Sequence, residues 1–223
     1  MILTRRNFIV AATVMAASSS SAVQALSTRR RPVPTPAVKA QAMEHADAIR
    51  ASGIRPMLMS AALGALDRHG DTFKRDRIGV VDFASSSSDP RFHLVDLEAG
   101  TTTSLLVSHG SGSDPAHSGW LQRFSNQPGS NASSEGAYLT GAYYSGQHGH
   151  SQRLIGLDPT NSNALSRAIV VHGAWYAEPD MIDTHGKLGR SEGCLAVGDS
   201  QIAQAFAHLG EGRLIYAAKM DRA

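Results

Sequence analysis

At 223 residues the chain is long enough for one sizeable core in a single domain. Its formal charge of +2 traces to Arg5 and Arg6. The first 25 residues hold no acid, so removing them leaves 19 basic residues against 19 acidic ones. A balanced chain gives no electrostatic case for nucleic acid as a partner, and 21 glycines with several serine clusters favour a loop-rich β protein over a helical bundle.

Residues 1–25 read as an export signal. Thr4-Arg5-Arg6-Asn7-Phe8-Ile9 has the twin-arginine form, an apolar run follows to Ala17, and Ala22-Val23-Gln24-Ala25 matches a signal-peptidase site. That run is far below the roughly 20 residues needed to span a bilayer, so no stable membrane anchor is expected. Residues 26–36, rich in Arg and Pro, read as a stiff exposed linker. The remainder, 37–223, reads as one domain with a helical lead-in over 37–70 and a core over about 75–220.

Within the lead-in, Thr35 and Pro36 can start a helix over roughly 37–51 that Gly53 ends. Pro56 can start a second, carrying Leu58, Ala62, Leu63 and Leu66 before Gly70. From Arg77 the period changes to two. Ile78–Phe83 and Phe92–Leu97, separated by a Ser/Asp/Pro turn, predict a hairpin, and Thr101–Ser108 continues the β pattern. Residues 109–136 are too long and too Gly/Ser/Asn-rich for a routine connection, which makes them a candidate substrate loop. Arg167–His172 predicts a strand that delivers His172 to its end. Asp199 or Ser200 is positioned to cap a last helix to about Leu209, and Leu214–Ala218 predicts a closing strand.

The chemistry concentrates at two points. Cys194 is the only cysteine, in Arg190-Ser191-Glu192-Gly193-Cys194, and His172-Gly173 lies upstream. An idle thiol is easily consumed in an oxidising compartment, whereas one beside an imidazole can act as a nucleophile, and flanking glycines let a substrate approach the backbone. A lone cysteine is also often a buried small hydrophobe. Its glycine-flanked setting and the His172-Gly173 partner favour the nucleophile.

Papain-like cysteine peptidases place cysteine before histidine, the reverse of the order here. His172-Gly173, a loop, then Ser191-x-Gly193-Cys194 resembles the motif of the YkuD-like L,D-transpeptidases, in particular the murein L,D-transpeptidase catalytic domain family. Further blocks carry the resemblance: Val81–Ala84, Ser108–Asp114, Phe124–Asn126, Ser133–Tyr138, Gly146–Gly149, Arg153–Asp158 and Arg167–Gly173. Together they cover roughly residues 75–200.

The resemblance implies a mainly β fold with a few helices (α+β), a β-sandwich or barrel preceded by two N-terminal helices. It implies a periplasmic enzyme whose Cys194 attacks a peptidoglycan stem peptide and passes the acyl group to an amine of a second stem, in 3-3 or 1-3 diaminopimelate cross-links. His172 would be general base and acid, the Ser191 carbonyl would orient its ring, and the N–H groups of Gly193 and Cys194 would form the oxyanion hole. Family members often carry arginine two residues after the cysteine, where this chain has Ala196, and Glu192 replaces the histidine or aromatic often found before Gly-Cys. Arg190 and Arg153 are therefore candidates to hold a substrate carboxylate, with Gly173, His148 and His109 as further substrate-site candidates.

Other readings stay open. The same thioester could pass to water, giving an L,D-carboxypeptidase or amidase. His148-Gly149-His150 and His109 with Asp114 hint at a zinc D-Ala-D-Ala peptidase, but the spacing from His109 to Asp114 is short for that motif and Cys194 would go unexplained. A non-catalytic wall-binding module would not need His172, Ser191, Gly193 and Cys194 together. The expectation is thus a monomer acting on peptidoglycan stems, with no metal or cofactor.

Overall fold

The structure is a computed structural model that describes residues 53–220, all within one compact unit, Pro36–Ala223. The expected signal, linker and 37–51 helix lie outside the described residues. Helix α1 (Pro56–Arg68) begins at Pro56, whose missing N–H would have had no intrahelical partner at that position. Leu58, Met59, Ala62, Leu63, Ala65 and Leu66 form its buried stripe at three- and four-residue spacing.

Eight strands follow: β1 (Arg77–Asp82), β2 (Phe92–Asp96), β3 (Thr101–Leu105), β4 (Gly136–Gly146), β5 (Gly149–Gly156), β6 (Val170–Gly173), β7 (Leu195–Val197) and β8 (Leu214–Ala218). They form one sheet in the order β3-β2-β1-β8-β4-β5-β6-β7. β8 lies parallel to β1 and β6 parallel to β7, while the other pairs are antiparallel. The expected closing strand is therefore an inner one. Two short α-helices, α2 (Asp180–His185) and α3 (Ile202–Leu209), and three single-turn 3-10 helices complete the regular structure among the described residues.

Alternation sorts the central strands onto two faces. Ile78, Val80, Val95 and Leu214 pack under α1, whereas Val81, Phe92, Leu94, Ile215 and Ala217 face a second core beneath α3. That second core also holds Leu105 of β3 and Leu195 and Val197 of β7, so the two edges of the sheet share one interior. Bridges from Ser108 to Ala196 and from Gly110 to Ser191 tie the chain beyond β3 to the β7 edge. Mainly β with few helices is the observed class, as one bent sheet drawn toward closure and not as two stacked sheets.

Three local expectations need correction. α3 takes no side-chain cap from Asp199 or Ser200, because the Ser200 N–H and hydroxyl are both held by Glu178, at 2.7 and 2.6 Å. The strand expected from Arg167 begins only at Val170, since Ala168 sits at φ +54°. The loop between His172-Gly173 and Ser191-x-Gly193-Cys194 is not all loop, since it carries α2 with Asp183 and His185. No helix among the described residues is long and apolar enough to cross a membrane.

Candidate active site

β6 and β7 bring the two sequence landmarks together. Val171 pairs with Leu195 and His172 with Ala196, and Cys194 immediately precedes β7. His172 and Cys194 both line one cleft of about 590 Å³, with Ser191, Arg190 and Glu192 on one side and His148, Arg167 and Ala168 on the others. Pro128, Gly129 and Asn131 supply a further wall, so the long 109–136 segment does reach the cleft.

The turn that carries Cys194 is held from behind. Ser191 Oγ donates to the Cys194 carbonyl at 2.7 Å and accepts from the Gly193 N–H at 3.1 Å. The Ser191 N–H donates to the His109 carbonyl at 3.0 Å, and the Ser111 N–H to the Ser191 carbonyl at 2.8 Å. Gly193 is required on two counts: its φ is +115°, and a Cβ there would stand 2.7 Å from the Ala132 carbonyl. The Gly193 N–H is thus engaged internally. Of the two N–H groups expected to form an oxyanion hole, that of Gly193 is the one already donating to Ser191 Oγ.

The imidazole is oriented by a different carbonyl from the one expected. His172 Nδ1 lies 2.8 Å from the Gly173 carbonyl oxygen, so Nδ1–H donates there and leaves Nε2 as the basic atom. The Ser191 carbonyl is taken by Ser111. Burial lowers the His172 pKa, a trend that His148 reinforces and that the Gly173 carbonyl and Asp199 oppose. Burial likewise raises the Cys194 thiol, against a bond from the Val170 backbone and the charge of Arg167. Both directions favour the uncharged forms, a neutral thiol and a neutral ring lining the same cleft. The thiol itself donates to the Ala168 carbonyl at 3.7 Å, and that residue is in the left-handed region. Backbone strain of this kind persists only where the surroundings enforce it.

The remaining candidates divide. His148 lines the cleft and stacks on His172, ring centroids 4.4 Å apart. Arg190 lines it too, but its Nη1 donates to the carbonyls of Asp114 and Pro115, the latter at 3.3 Å. Arg153 is exposed on β5 with its guanidinium 4.3 Å above the Tyr144 ring, away from the cleft lining. His109 is buried behind the Cys194 turn, Nδ1 accepting from Arg91 at 2.7 Å and Nε2 3.4 Å from Asp114. Gly173 lies against Asp199 and contributes its carbonyl alone. Ala196, at the position of the family's frequent arginine, packs with Leu106, Ala177 and Leu188.

Sequence reading missed Arg167 as a site residue. It lines the cleft, donates to Ser125 and Ala132 carbonyls at 2.8 and 2.5 Å, and supplies a positive charge near Cys194. A cation opening an otherwise apolar, buried run was the available signal. Among the described residues, no group of three or more His, Cys, Asp or Glu is placed to hold a metal ion.

The sequence model of the L,D-transpeptidase catalytic domain family matches residues 50–218. The chain belongs to that family. No curated protein sequence matches this family member. Among solved structures it is similar to L,D-transpeptidase 3 from Mycobacterium tuberculosis with a faropenem-derived adduct, at 13% identity and TM-score 0.42, over 65% of this chain and 60% of that one. It is similar to an L,D-transpeptidase from Mycobacterium smegmatis at 15% identity and TM-score 0.38, over 64% and 58%. The L,D-transpeptidase fragment from Xylanimonas cellulosilytica matches at 14% identity and TM-score 0.36, over 85% of this chain and all of that one. The family member thus spans about three fifths of the length of the mycobacterial proteins.

Proposed function

We propose that the protein is an L,D-transpeptidase of peptidoglycan, exported to the periplasm by its twin-arginine signal and working through a thioester on Cys194. Family membership supports the class of reaction. The observation that carries the mechanism is the adjacency of β6 and β7, which opens His172 and Cys194 onto one cleft.

In this reading His172 Nε2 takes the thiol proton only as sulfur attacks the stem carbonyl, because both groups rest neutral. The oxyanion receives the Cys194 N–H, and Arg167 adds positive charge nearby. Collapse of the intermediate expels the leaving amine with the proton returned from His172, and the acyl group stays on sulfur. An amine of a second stem, deprotonated by His172, then attacks the thioester and restores the thiol.

The test is mass analysis of disaccharide-peptides incubated with the purified protein and with Cys194→Ala. Cross-linked dimers formed by the parent protein and absent with the variant are the expected result. Their bond position distinguishes 3-3 from 1-3 linkage, and trimmed monomers without dimers would make the protein a hydrolase. Full cross-linking by Cys194→Ala would end the thioester mechanism.

A further inference from the structure

The β4–β5 hairpin ends in a turn, Gln147-His148, closed by the pairing of Gly146 with Gly149. Ser151 of the same hairpin pairs with His172, so the sheet itself sets this turn beside the imidazole. There the His148 ring lies nearly parallel to the His172 ring, 25° between planes and 4.4 Å between centroids. The contact is unusual in its economy. One edge of the His172 ring is fixed by a bond from Nδ1–H to its neighbour's carbonyl, and one bond leaves the ring free to rock about it. A stacked face removes that freedom.

We propose that His148 is a positioning residue whose ring is the platform that holds the His172 imidazole in its productive plane. This rests on the reading of His172 as the base, and it gives the glycine-flanked hairpin tip a task that packing does not explain. His148 is exposed and makes no hydrogen bond to another described residue, so stability does not account for its placement. Parallel aromatic rings at this separation attract when neutral. The stack also disfavours two positive rings at once, in keeping with the lowering of the His172 pKa by His148. The other charged or titratable groups around the cleft are Arg167, Arg190, Glu192, Tyr176 and Cys194, with Asp199 acting on His172 from beyond β7.

Alkylation of Cys194 by iodoacetamide reads the imidazole–thiol pair without any stem peptide, so it can fail independently of the transpeptidase reading. Rates from pH 5 to 9 are compared for the parent, His148→Ala and His148→Phe. Alanine should slow alkylation at pH 8 by about three- to tenfold, the factor expected of one stacking contact, and move the acid-side midpoint upward. Phenylalanine restores the platform without the charge. It should return the pH 8 rate to within about twofold of the parent while the midpoint stays raised as in the alanine variant. An alanine variant with the parent's rate and midpoint, or a phenylalanine variant as slow as alanine, overturns the proposal.

Discussion

The two ends of the sheet are built by different rules. At one end β3, β2, β1 and β8 are paired in continuous ladders of five residue pairs each, and the β1–β8 centre is sandwiched between apolar cores. At the other, β6 and β7 are four and three residues long. Two of the three non-glycine residues with positive φ among the described residues, Asn131 and Ala168, line the cleft there. Stability comes from the regular end. The irregular end is held by side chains such as Ser191, Ser133 and Arg167 that satisfy loop backbone, leaving polar groups directed at a cavity. Long ladders bury apolar area efficiently, whereas a site needs backbone donors and a thiol that no ladder consumes.

Paired substitutions break that division most sharply. Leu58→Ala in the α1 stripe, where the side chain is wholly buried, should cost about 2–5 kcal/mol of stability. The alkylation rate per folded molecule should stay that of the parent. Cys194→Ala should do the converse, removing all turnover with little change in melting temperature. If Leu58→Ala slowed alkylation of the folded fraction tenfold, the two ends would be coupled and the division would fail.

The same division decides what could be read in the sequence. The β1–β2 hairpin and β8 were legible because branched and aromatic residues alternate or run together there, and burial on the sheet supplies that period. β4 was not, because Gly136–Gly146 mixes glycine, alanine and tyrosine, is half-exposed, and shifts register between Thr140 and Tyr143. β7 is too short to show a period at all. That His172 and Cys194 belong to one cleft was legible from chemistry and not from periodicity. The carbonyl that orients His172, the engagement of the Gly193 N–H and the arrival of Arg167 were not, since each depends on backbone direction after folding.

A pH titration sharpens the comparison at the seam between the ends. His109 is buried against the Arg91 guanidinium, and burial first, then that charge, lowers its pKa from 6.5 to about 4. Between those values the unfolded chain binds the proton more readily than the folded one. The stabilisation is complete above pH 6.5 and is lost as pH falls toward 4, by roughly 3 kcal/mol. Chemical denaturation across that window should show the slope, and His109→Asn, which keeps an acceptor for Arg91, should flatten it. An unchanged slope in the variant would assign the acid sensitivity to the other histidines with lowered values, His93, His172 and His208.

The smallest effect separates two roles for Arg190. Its side chain lines the cleft, yet its Nη1 is spent on the carbonyls of Asp114 and Pro115, which brace the 109–136 segment against the Cys194 turn. Neither Glu192 nor Asp183 is its partner, so the brace runs through backbone and not through an ion pair. Both bonds leave one nitrogen of a planar guanidinium, whose rigid plane aims that nitrogen's two hydrogens, while a lysine ammonium on a shorter, flexible stem holds one carbonyl well and the second poorly. Arg190→Lys should therefore cost about 1 kcal/mol, a fall of about 2–4 °C in Tm, since one hydrogen bond from a partly buried donor is lost. Affinity for a stem peptide, measured by calorimetry with the Cys194→Ala background to prevent turnover, should change by less than about threefold, because the bond given up faces the loop. Were Arg190 instead reading a substrate carboxylate, the same variant would keep its Tm and lose roughly ten- to a hundredfold in affinity, the range for a charged bidentate contact. That outcome would move Arg190 from the frame of the site to its floor.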